Sequence, residues 1–498
     1  MLYFRCLHNE KAEMNPAADP QRQHYRITFT VLAVSALSYS LLQSMIIPAI
    51  PDIQESLHAS ATSVSWLLTA FLLTASVATP IVGRLGDMYG KERALLVVMI
   101  ILAVGTFISA IASNVELMIA GRAIQGIAGG VFPLAFAIIR DEFPRDRVAG
   151  GMGLISSILG IGGGLGLVLA GPITEHLSYH WLYWFPLIAV VIGAVATHLF
   201  VPESPVKSPG RVNWLAAALL SVGLGVVLVA ISQTATWGWG SAKTLGLLAV
   251  GLLALAAWVT VELRSDEPLI DMKMMRIKGV WTTNLVAFLV GVGMYASFLL
   301  IPEFVQEPTS TGYGFGAAVT ASGLFLLPAT VMQVVVGQLS GRLEHRFGSK
   351  VLAIAGALSC ALAFVMLMVA RSSEWEVYVA SVLLGTGIGL ALSSLPNLIV
   401  ASVPQDQTGV ATGVNNVTRT VGGALGAQVV VTFLAGDMLN GAPTEGAYTL
   451  AFGLCVVALI AGVLVALIIP SARRPRTGTP GASVGTVAPA GATAAQQA

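Results

Sequence analysis

The stretch "GRLGDMYGKER" at residues 83–93 places five charged side chains between two long apolar segments. The chain as a whole is 55% apolar and only 10% charged over 498 residues, whereas soluble domains carry about 25% charged residues. Its charges stand in short islands between apolar runs, which is typical of the loops of membrane proteins. The pattern predicts an integral membrane protein in which residues 83–93 join two spans.

A helix needs about 20 consecutive apolar residues to cross the hydrocarbon core of a bilayer. Runs of that length, separated by polar or turn residues, predict fourteen spans. These lie near 27–50, 62–82, 94–112, 116–139, 148–172, 181–201, 213–232, 244–261, 280–302, 317–339, 351–370, 377–400, 409–434 and 448–469. The even number predicts that both termini lie on one side of the membrane.

The distribution of Lys and Arg predicts which side that is, because positively charged loops stay in the cytoplasm. Of the 26 such residues, Arg122 and Arg419 fall inside spans, Lys243 and Arg371 fall in loops of the opposite side, and the rest share one side. We therefore expect a multi-pass protein of the cytoplasmic (inner) membrane with both termini cytoplasmic. The net charge of +1 gives no sign of nucleic-acid binding, and three scattered cysteines predict neither a metal site nor a disulfide framework. No cofactor is predicted.

An internal repeat indicates how the spans are grouped. At an offset of 258 residues, Gly83-Arg84-Leu85 matches Gly341-Arg342-Leu343, and at a nearly equal offset of 260 a glycine-rich segment at 162–166 matches 422–426. Related halves in one membrane chain are how many carriers build a central site that opens alternately to each side.

The repeat predicts two six-helix halves with two further helices inserted between them. The predicted organisation is a cytosolic N-terminal extension at 1–26, starting at Met1 or Met14, an N-terminal bundle at 27–201, the inserted pair with its flanking loops at 202–279, a C-terminal bundle at 280–469 and a disordered cytosolic tail at 470–498.

Three motifs resemble those of a known family. Residues 83–93 resemble the loop between the second and third spans of the major facilitator superfamily, residues 121–126 ("GRAIQG") its fourth-span arginine motif, and residues 160–172 the glycine-rich fifth-span motif of its antiporters. Fourteen spans with a central inserted pair resemble its branch of drug:proton antiporters. The resemblance implies the all-α major facilitator fold and a transporter that is not an enzyme.

The first motif is implied to be a conformational switch formed by Gly83, Arg84, Gly86, Asp87, Gly90, Lys91 and Arg93. Gly83 and Gly90 allow a tight connection between spans, and the basic residues belong in the cytosol. Asp87 can pair with these cations or approach a helix N-terminus; the resemblance implies that it docks the two halves in one state. The simpler interpretation is a solvated loop that only sets topology. His345 occupies the place of Asp87 in the second copy, so the switch role is not extended there.

Two arginines inside spans are candidates for function, since an arginine in a helix centre costs about 2.5–3.5 kcal/mol on insertion scales and persists where it has a partner or a water-filled cavity. The resemblance implies a part in proton coupling for Arg122; the alternative is a tether to a neighbouring carbonyl or carboxylate. Arg419 lies near the membrane midplane, as a cavity residue or a packing anchor. The predicted substrate cavity contains Gln43, Gln125, Asn415, Asn416 and Arg419.

The glycine-rich motif combines close packing with a predicted hinge. Glycines spaced four apart let a neighbouring helix approach, and Gly171-Pro172 bends or ends the span. The resemblance implies that this motif prevents uncoupled leakage. The predicted hinge residues are Gly160, Gly164, Gly166, Gly171 and Pro172.

One departure from the family pattern concerns the proton site. Exporters of this branch carry an aspartate in the first span and an asparagine near its end, where this chain has Leu42 and Ile47. The candidates for proton coupling are therefore Arg122, Asp87 and Glu303.

The prediction is a monomeric exporter of hydrophobic or amphipathic, drug-like small molecules that works by alternating access in the lipid bilayer, in exchange for protons. The alternatives are an exporter of a lipid, siderophore or other metabolite, an importer and, from different classes, a polytopic membrane enzyme or a channel.

Overall fold

The computed structural model describes residues 25–46, 49–204, 207, 212–439 and 442–470. The predicted N-terminal extension up to residue 24, the predicted tail from residue 471 and Ile47 lie outside these ranges.

Within these described ranges fourteen helical segments are long and apolar enough to cross a membrane, which confirms the predicted number of spans and the all-α fold. We number them α1 (Tyr25–Ser44), α2 (Ala61–Tyr89), α3 (Lys91–Ala110), α4 (Val115–Glu142), α5 (Arg145–His176), α6 (Trp181–Phe200), α7 (Trp214–Ser232), α8 (Ala242–Arg264), α9 (Lys278–Gln306), α10 (Leu327–Phe347), α11 (Ser349–Val369), α12 (Glu374–Ser402), α13 (Thr408–Gly436) and α14 (Glu445–Ile468).

Short elements occupy several connections between the spans. They are the helices Ile50–Ser56, Thr234–Trp237, Met272–Met275 and Val319–Leu324, the 3-10 turns Thr309–Thr311 and Gln405–Gln407, and a small antiparallel hairpin of β1 (Met438–Leu439) and β2 (Ala442–Pro443).

The structure corrects two expectations about local backbone. Gly83 lies inside α2, and the connection between α2 and α3 is Gly90 alone, whose φ of 121° is readily adopted only by glycine. The predicted loop is therefore almost entirely helical. In addition, α5 continues past Pro172 to His176, so the span does not end at this proline.

In the part of the chain that the structure describes, buried apolar side chains form three clusters. One draws almost entirely on residues 31–201 and a second on residues 286–469. The third joins the inserted region at 216–280 to side chains at the end of α12 and the start of α13, among them Val403 and Val410.

The halves meet mainly where α2 packs against α13 and α5 against α10, with further contacts of α5 with α12 and of α4 with α13. The inserted α7 packs against both α2 and α13. The helix α8 packs mainly against α7.

Candidate functional site

A cavity of about 1440 Å³ lies between the two halves. Arg419 lines it near the middle of α13, and Arg122 lines it in the first third of α4. Asp52, Glu303 and Glu307 line it at the chain segments that follow α1 and end α9. These segments are at the opposite ends of the helices from Gly90, so the cavity extends from the middle of the bundle toward the membrane side opposite Gly90.

The side chain of Arg122 is completely buried and fixed by backbone carbonyls. Its Nε donates to the carbonyl of Leu67 at 3.1 Å, and Nη1 donates to the carbonyl of Leu42 at 2.8 Å and to Gln125 Oε1 at 2.8 Å. Its guanidinium carbon lies 4.3 Å from the ring centre of Phe71. These are the contacts of a tether to carbonyls, and they link α4 to α1 and α2.

Gln125 holds Arg122 in place by accepting a hydrogen bond from its Nη1. Its Nε2 donates to Ser109 Oγ at 3.1 Å, and it is absent from the side chains that line the cavity. The structure thus separates Gln125 from the other predicted cavity residues.

Arg419 faces the cavity and is 7% exposed. Its Nη2 donates to Asn416 Oδ1 at 2.5 Å, and Nη1 lies 3.6 Å from Met294 Sδ. Asn416 and Gln43 line the same cavity. Asn415 instead donates to Asn284 Oδ1 at 2.9 Å and lines a small adjoining pocket that it shares with Asn416 and Arg419.

The cavity wall contains the carboxylate of Glu303, which makes no hydrogen bond or ion pair with any residue that the structure describes. Glu307, one helical turn further on, accepts a hydrogen bond from the Tyr448 hydroxyl at 3.1 Å. Leu42, at the position where the resemblance implied an aspartate, is 2% exposed.

On the Gly90 side the halves are held together by Asp87, which is 1% exposed. Its carboxylate accepts hydrogen bonds from the backbone N–H groups of Gly409 at 3.2 Å and Val410 at 3.0 Å, in the first turn of α13. Free N–H groups and the helix dipole favour a negative charge there. A Cβ atom at Gly83 would lie 2.5 Å from the carbonyl oxygen of Gly409, so the absence of a side chain permits this approach.

The second pair of helices repeats this close approach without the aspartate. Gly341 in α10 lies against Gly150 in α5, and a Cβ atom at Gly341 would be 2.8 Å from the Gly150 Cα. His345 is exposed. The neighbouring Glu344 accepts from Asn397 Nδ2 at 2.6 Å, and that amide also donates to the Ala149 carbonyl at 3.4 Å.

Lys91 does not fit the simpler interpretation of a solvated loop, because it is completely buried and paired with Asp141 at the end of α4. Asp141 also accepts from Ser204 Oγ and from Gln405 Nε2, the latter at 2.9 Å and from the C-terminal half. The basic residues nearby differ: Arg84 is buried, whereas Arg93 is 72% exposed and lies 3.6 Å from Glu203.

A further contact between the halves comes from Arg140, next to Asp141. Its guanidinium donates to the carbonyls of Val403 at 3.0 Å and Pro404 at 3.1 Å, and to the Thr408 hydroxyl. Gly86 packs closely on Leu134 of α4. The predicted switch residues thus lie together on the Gly90 side, where Arg140 and Asp141 add further contacts between the two halves.

The glycines of α5 face two different helices. Gly160 and Gly164 lie against Gln333 and Thr330 of α10, and Gly166 lies against Ser44 of α1. Gly171 and Pro172 line the cavity.

The residues that sequence reasoning missed are Arg140, Asp141, Glu344 and Asn397. The signal for the first two was present, since "RDEFPRDR" at 140–147 directly follows an apolar span. Their partners lie up to 268 residues away along the chain, and no local pattern identifies them.

Comparison with known proteins finds membrane transporters by sequence and by structure. A sequence model described as the Major Facilitator Superfamily matches residues 32–427. An uncharacterized MFS-type transporter of Mycobacterium tuberculosis is 29% identical over 448 residues, covering 87% of this chain, which spans 63% of that relative's length. The tetracenomycin C resistance and export protein of Streptomyces glaucescens is 26% identical over 412 residues, with 82% of this chain and 76% of the relative covered.

A solved structure shares the fold. It is the human organic anion transporter MFSD10 (TETRAN), with a TM-score of 0.66, 17% identity, and coverage of 88% of this chain and 99% of that one.

Proposed function

Since the chain belongs to the Major Facilitator Superfamily, we propose that it exports hydrophobic or amphipathic, drug-like small molecules by alternating access in exchange for protons. It is a multi-pass membrane transporter. We assign it to the cytoplasmic membrane with both termini in the cytoplasm, on the basis of its Lys and Arg distribution. That it acts as a monomer is part of the proposal.

The observation that carries this proposal is the cavity between the halves together with its closed end. The cavity has room for a whole drug-sized molecule, since ordinary ligand pockets enclose about 300–1000 Å³. Asp87 and Arg140 hold the halves together on the Gly90 side by contacts that reach across the interface. Breaking those contacts while closing the opposite end would move the opening from one side of the membrane to the other.

The substrate class and the direction rest on the lining and on one relative. Phe71, Phe132 and Phe298 line the cavity with other apolar side chains, which suits amphipathic molecules better than sugars. The Streptomyces glaucescens relative is named for resistance and export.

We assign the proton to Glu303. Its carboxylate lines the cavity and has no hydrogen-bond partner among the described side chains, and the first span offers Leu42 where a carboxylate was expected. A proton that crosses 100 mV releases about 2.3 kcal/mol, which supports a substrate gradient of roughly fifty-fold.

The test uses purified protein in liposomes loaded with the pH dye pyranine, with ethidium, chloramphenicol and 1-pyrenebutyrate as trial substrates. At least one compound is expected to be transported and to accelerate dissipation of an imposed pH gradient. Glu303→Gln is expected to lose this compound-dependent proton flux, whereas Glu374→Gln, at an exposed carboxylate at the start of α12, keeps it. Transport that ignores the pH gradient contradicts the exchange, and absence of transport for all three compounds contradicts the export proposal.

A further inference from the structure

We propose that the cavity selects aromatic amphipathic molecules that carry a negative charge, with the anionic group on Arg419 and the rings against the aromatic wall. This inference rests on the proposed transport function and names its substrate class.

The first reason is the state of Arg419. Its guanidinium is 93% shielded from solvent and lies in the middle of α13, yet its contacts are a neutral amide oxygen of Asn416 and the sulfur of Met294. Within the described part of the chain it forms no ion pair with a carboxylate. A guanidinium has five N–H donors in a planar fork that matches a carboxylate or similar anion. The side chain therefore offers unused donors to the cavity.

Arg122 places a second positive charge in the cavity wall, in a different role and closer than Arg419 to the side opposite Gly90, because it is held by the Leu42 carbonyl near the end of α1. Carbonyls and Gln125 fix its Nε and Nη1, while its Nη2 is buried without a hydrogen-bond partner among the described residues. It also lines the cavity. Two cations thus line the cavity, of which Arg419 is the one in the middle of the bundle, and Leu42 stands where the resemblance implied an aspartate.

The acidic lining residues lie at a different depth from Arg419. Asp52, Glu303 and Glu307 stand where the cavity wall approaches the side opposite Gly90. Met294, which contacts Arg419, precedes Glu303 by nine residues in the same helix, so the two levels are about 13 Å apart at 1.5 Å per residue. That separation excludes direct pairing of Glu303 with Arg419.

This order of charges favours an anion at the centre and disfavours one at the rim. Attraction between opposite charges is stronger in a desolvated interior than in water. A cationic substrate would face the guanidinium group of Arg419 there, and a neutral one would leave the donors of Arg419 without an anionic partner. Carboxylates at the rim would repel an anion that returned from that side, which assists one-way release.

Aromatic side chains of both halves supply the apolar part of the site. In the N-terminal half Tyr39 stacks on Phe71, with ring centres 5.5 Å apart, and meets Phe132 at 6.1 Å. In the C-terminal half Tyr295 and Phe298 lie 6.3 Å apart in an edge-to-face arrangement. All five rings line the cavity, so a fused aromatic body attached to an anionic group has matching surfaces on both sides.

The test measures binding of three pyrene probes that differ mainly in charge: 1-pyrenebutyrate, the neutral 1-pyrenebutanamide and the cationic 1-pyrenebutylamine. The full chain is placed in nanodiscs, empty nanodiscs supply the background, and fluorescence anisotropy gives each dissociation constant. The wild type is expected to bind the carboxylate about 10-fold to 100-fold more tightly than the amide, the range for a hydrogen-bonded charge pair.

Arg419→Gln is expected to bring this ratio close to one while leaving the affinity for the amide nearly unchanged, which also shows that the variant is folded. Arg276→Gln is the matched control, because it removes an exposed arginine outside the cavity. A wild type that prefers the amide or the amine overturns the inference, as does an Arg419→Gln variant that keeps the preference for the carboxylate.

The two proposals fail in different ways. Transport of ethidium or chloramphenicol in liposomes without a carboxylate preference in nanodiscs leaves the export function standing and removes the anion site. A carboxylate preference that depends on Arg419, without transport of any compound, supports the site and contradicts the export function.

Discussion

Replacing Asp87 by Asn is expected to open the Gly90 side of the protein. The carboxylate accepts two backbone hydrogen bonds at the N-terminus of α13 and is almost completely buried. The amide keeps one acceptor oxygen, but its NH₂ group faces a backbone donor, and the negative charge at the helix terminus is lost.

The size of the effect follows from these contacts. A hydrogen bond to a charged group contributes about 1.5–3 kcal/mol, and the charge–dipole interaction at a partly buried helix end adds up to about 2 kcal/mol. Allowing for overlap between these terms, the state with the Gly90 side closed should lose about 2–4 kcal/mol. Its population relative to the opposite state should then fall by about 30-fold to 700-fold.

Pulsed electron paramagnetic resonance measures the change as a distance between two spin labels. Tyr89 at the end of α2 and Phe347 at the end of α10 are 58% and 49% exposed and are suitable cysteine positions, once Cys6, Cys360 and Cys455 have been replaced by serine. The distance distribution is expected to shift to longer values in Asp87→Asn.

Asp146→Asn serves as the control, because it removes an exposed carboxylate at the start of α5, on the membrane side where α4 ends. An Asp87→Asn variant that is folded and monodisperse but gives the wild-type distance distribution would contradict the role of Asp87 in closing the Gly90 side. A shift of equal size in the control would show that the labels respond to any loss of acidic charge on this side.

Two further predictions concern stability, measured as the thermal unfolding of the purified protein in detergent. Lys91→Met is expected to lower the free energy of unfolding by about 3–5 kcal/mol, because it leaves the buried Asp141 without its cation. Adding Asp141→Leu should recover most of this stability. A Lys91→Met variant as stable as the wild type would contradict the buried pair. Gly164→Ala is expected to lower the free energy of unfolding by about 1–3 kcal/mol, since its Cβ would lie 2.8 Å from the Thr330 Cβ. Gly163→Ala should be neutral, because a Cβ there would have no atom within 4 Å. Equal melting temperatures for the two variants would contradict close packing of α5 on α10 at Gly164.

The spans were predictable because each needs a long apolar run, a requirement that depends only on local sequence. Helix ends were less predictable where a helix continues through charged residues. Polar residues at 83–89 indicated a loop, but α2 continues to Tyr89. Its face there packs against α4 and α13, and this tertiary contact outweighs the local preference for a turn.

Charged residues in the membrane were identified from sequence, but their partners were not. The depth of Arg122 indicated a fixed or functional arginine, and both interpretations remained open because carbonyls of Leu42 and Leu67 carry no sequence signature. For Lys91 the local sequence contains no sign of burial, since a basic residue near a membrane surface is ordinarily solvated. Its burial depends on the partner Asp141, fifty residues away along the chain. The roles of Asp87, Arg122 and Glu303 in transport remain predictions.

The position of α7 has a consequence for motion. This helix touches both α2 and α13. When the halves rotate against each other, the inserted pair must therefore move with one half and give up its contacts with the other. Fourteen helices then divide into bodies of six and eight rather than into equal parts. The larger body has more lipid-facing surface, so it should meet greater resistance from the bilayer, and the smaller body should make the larger excursion.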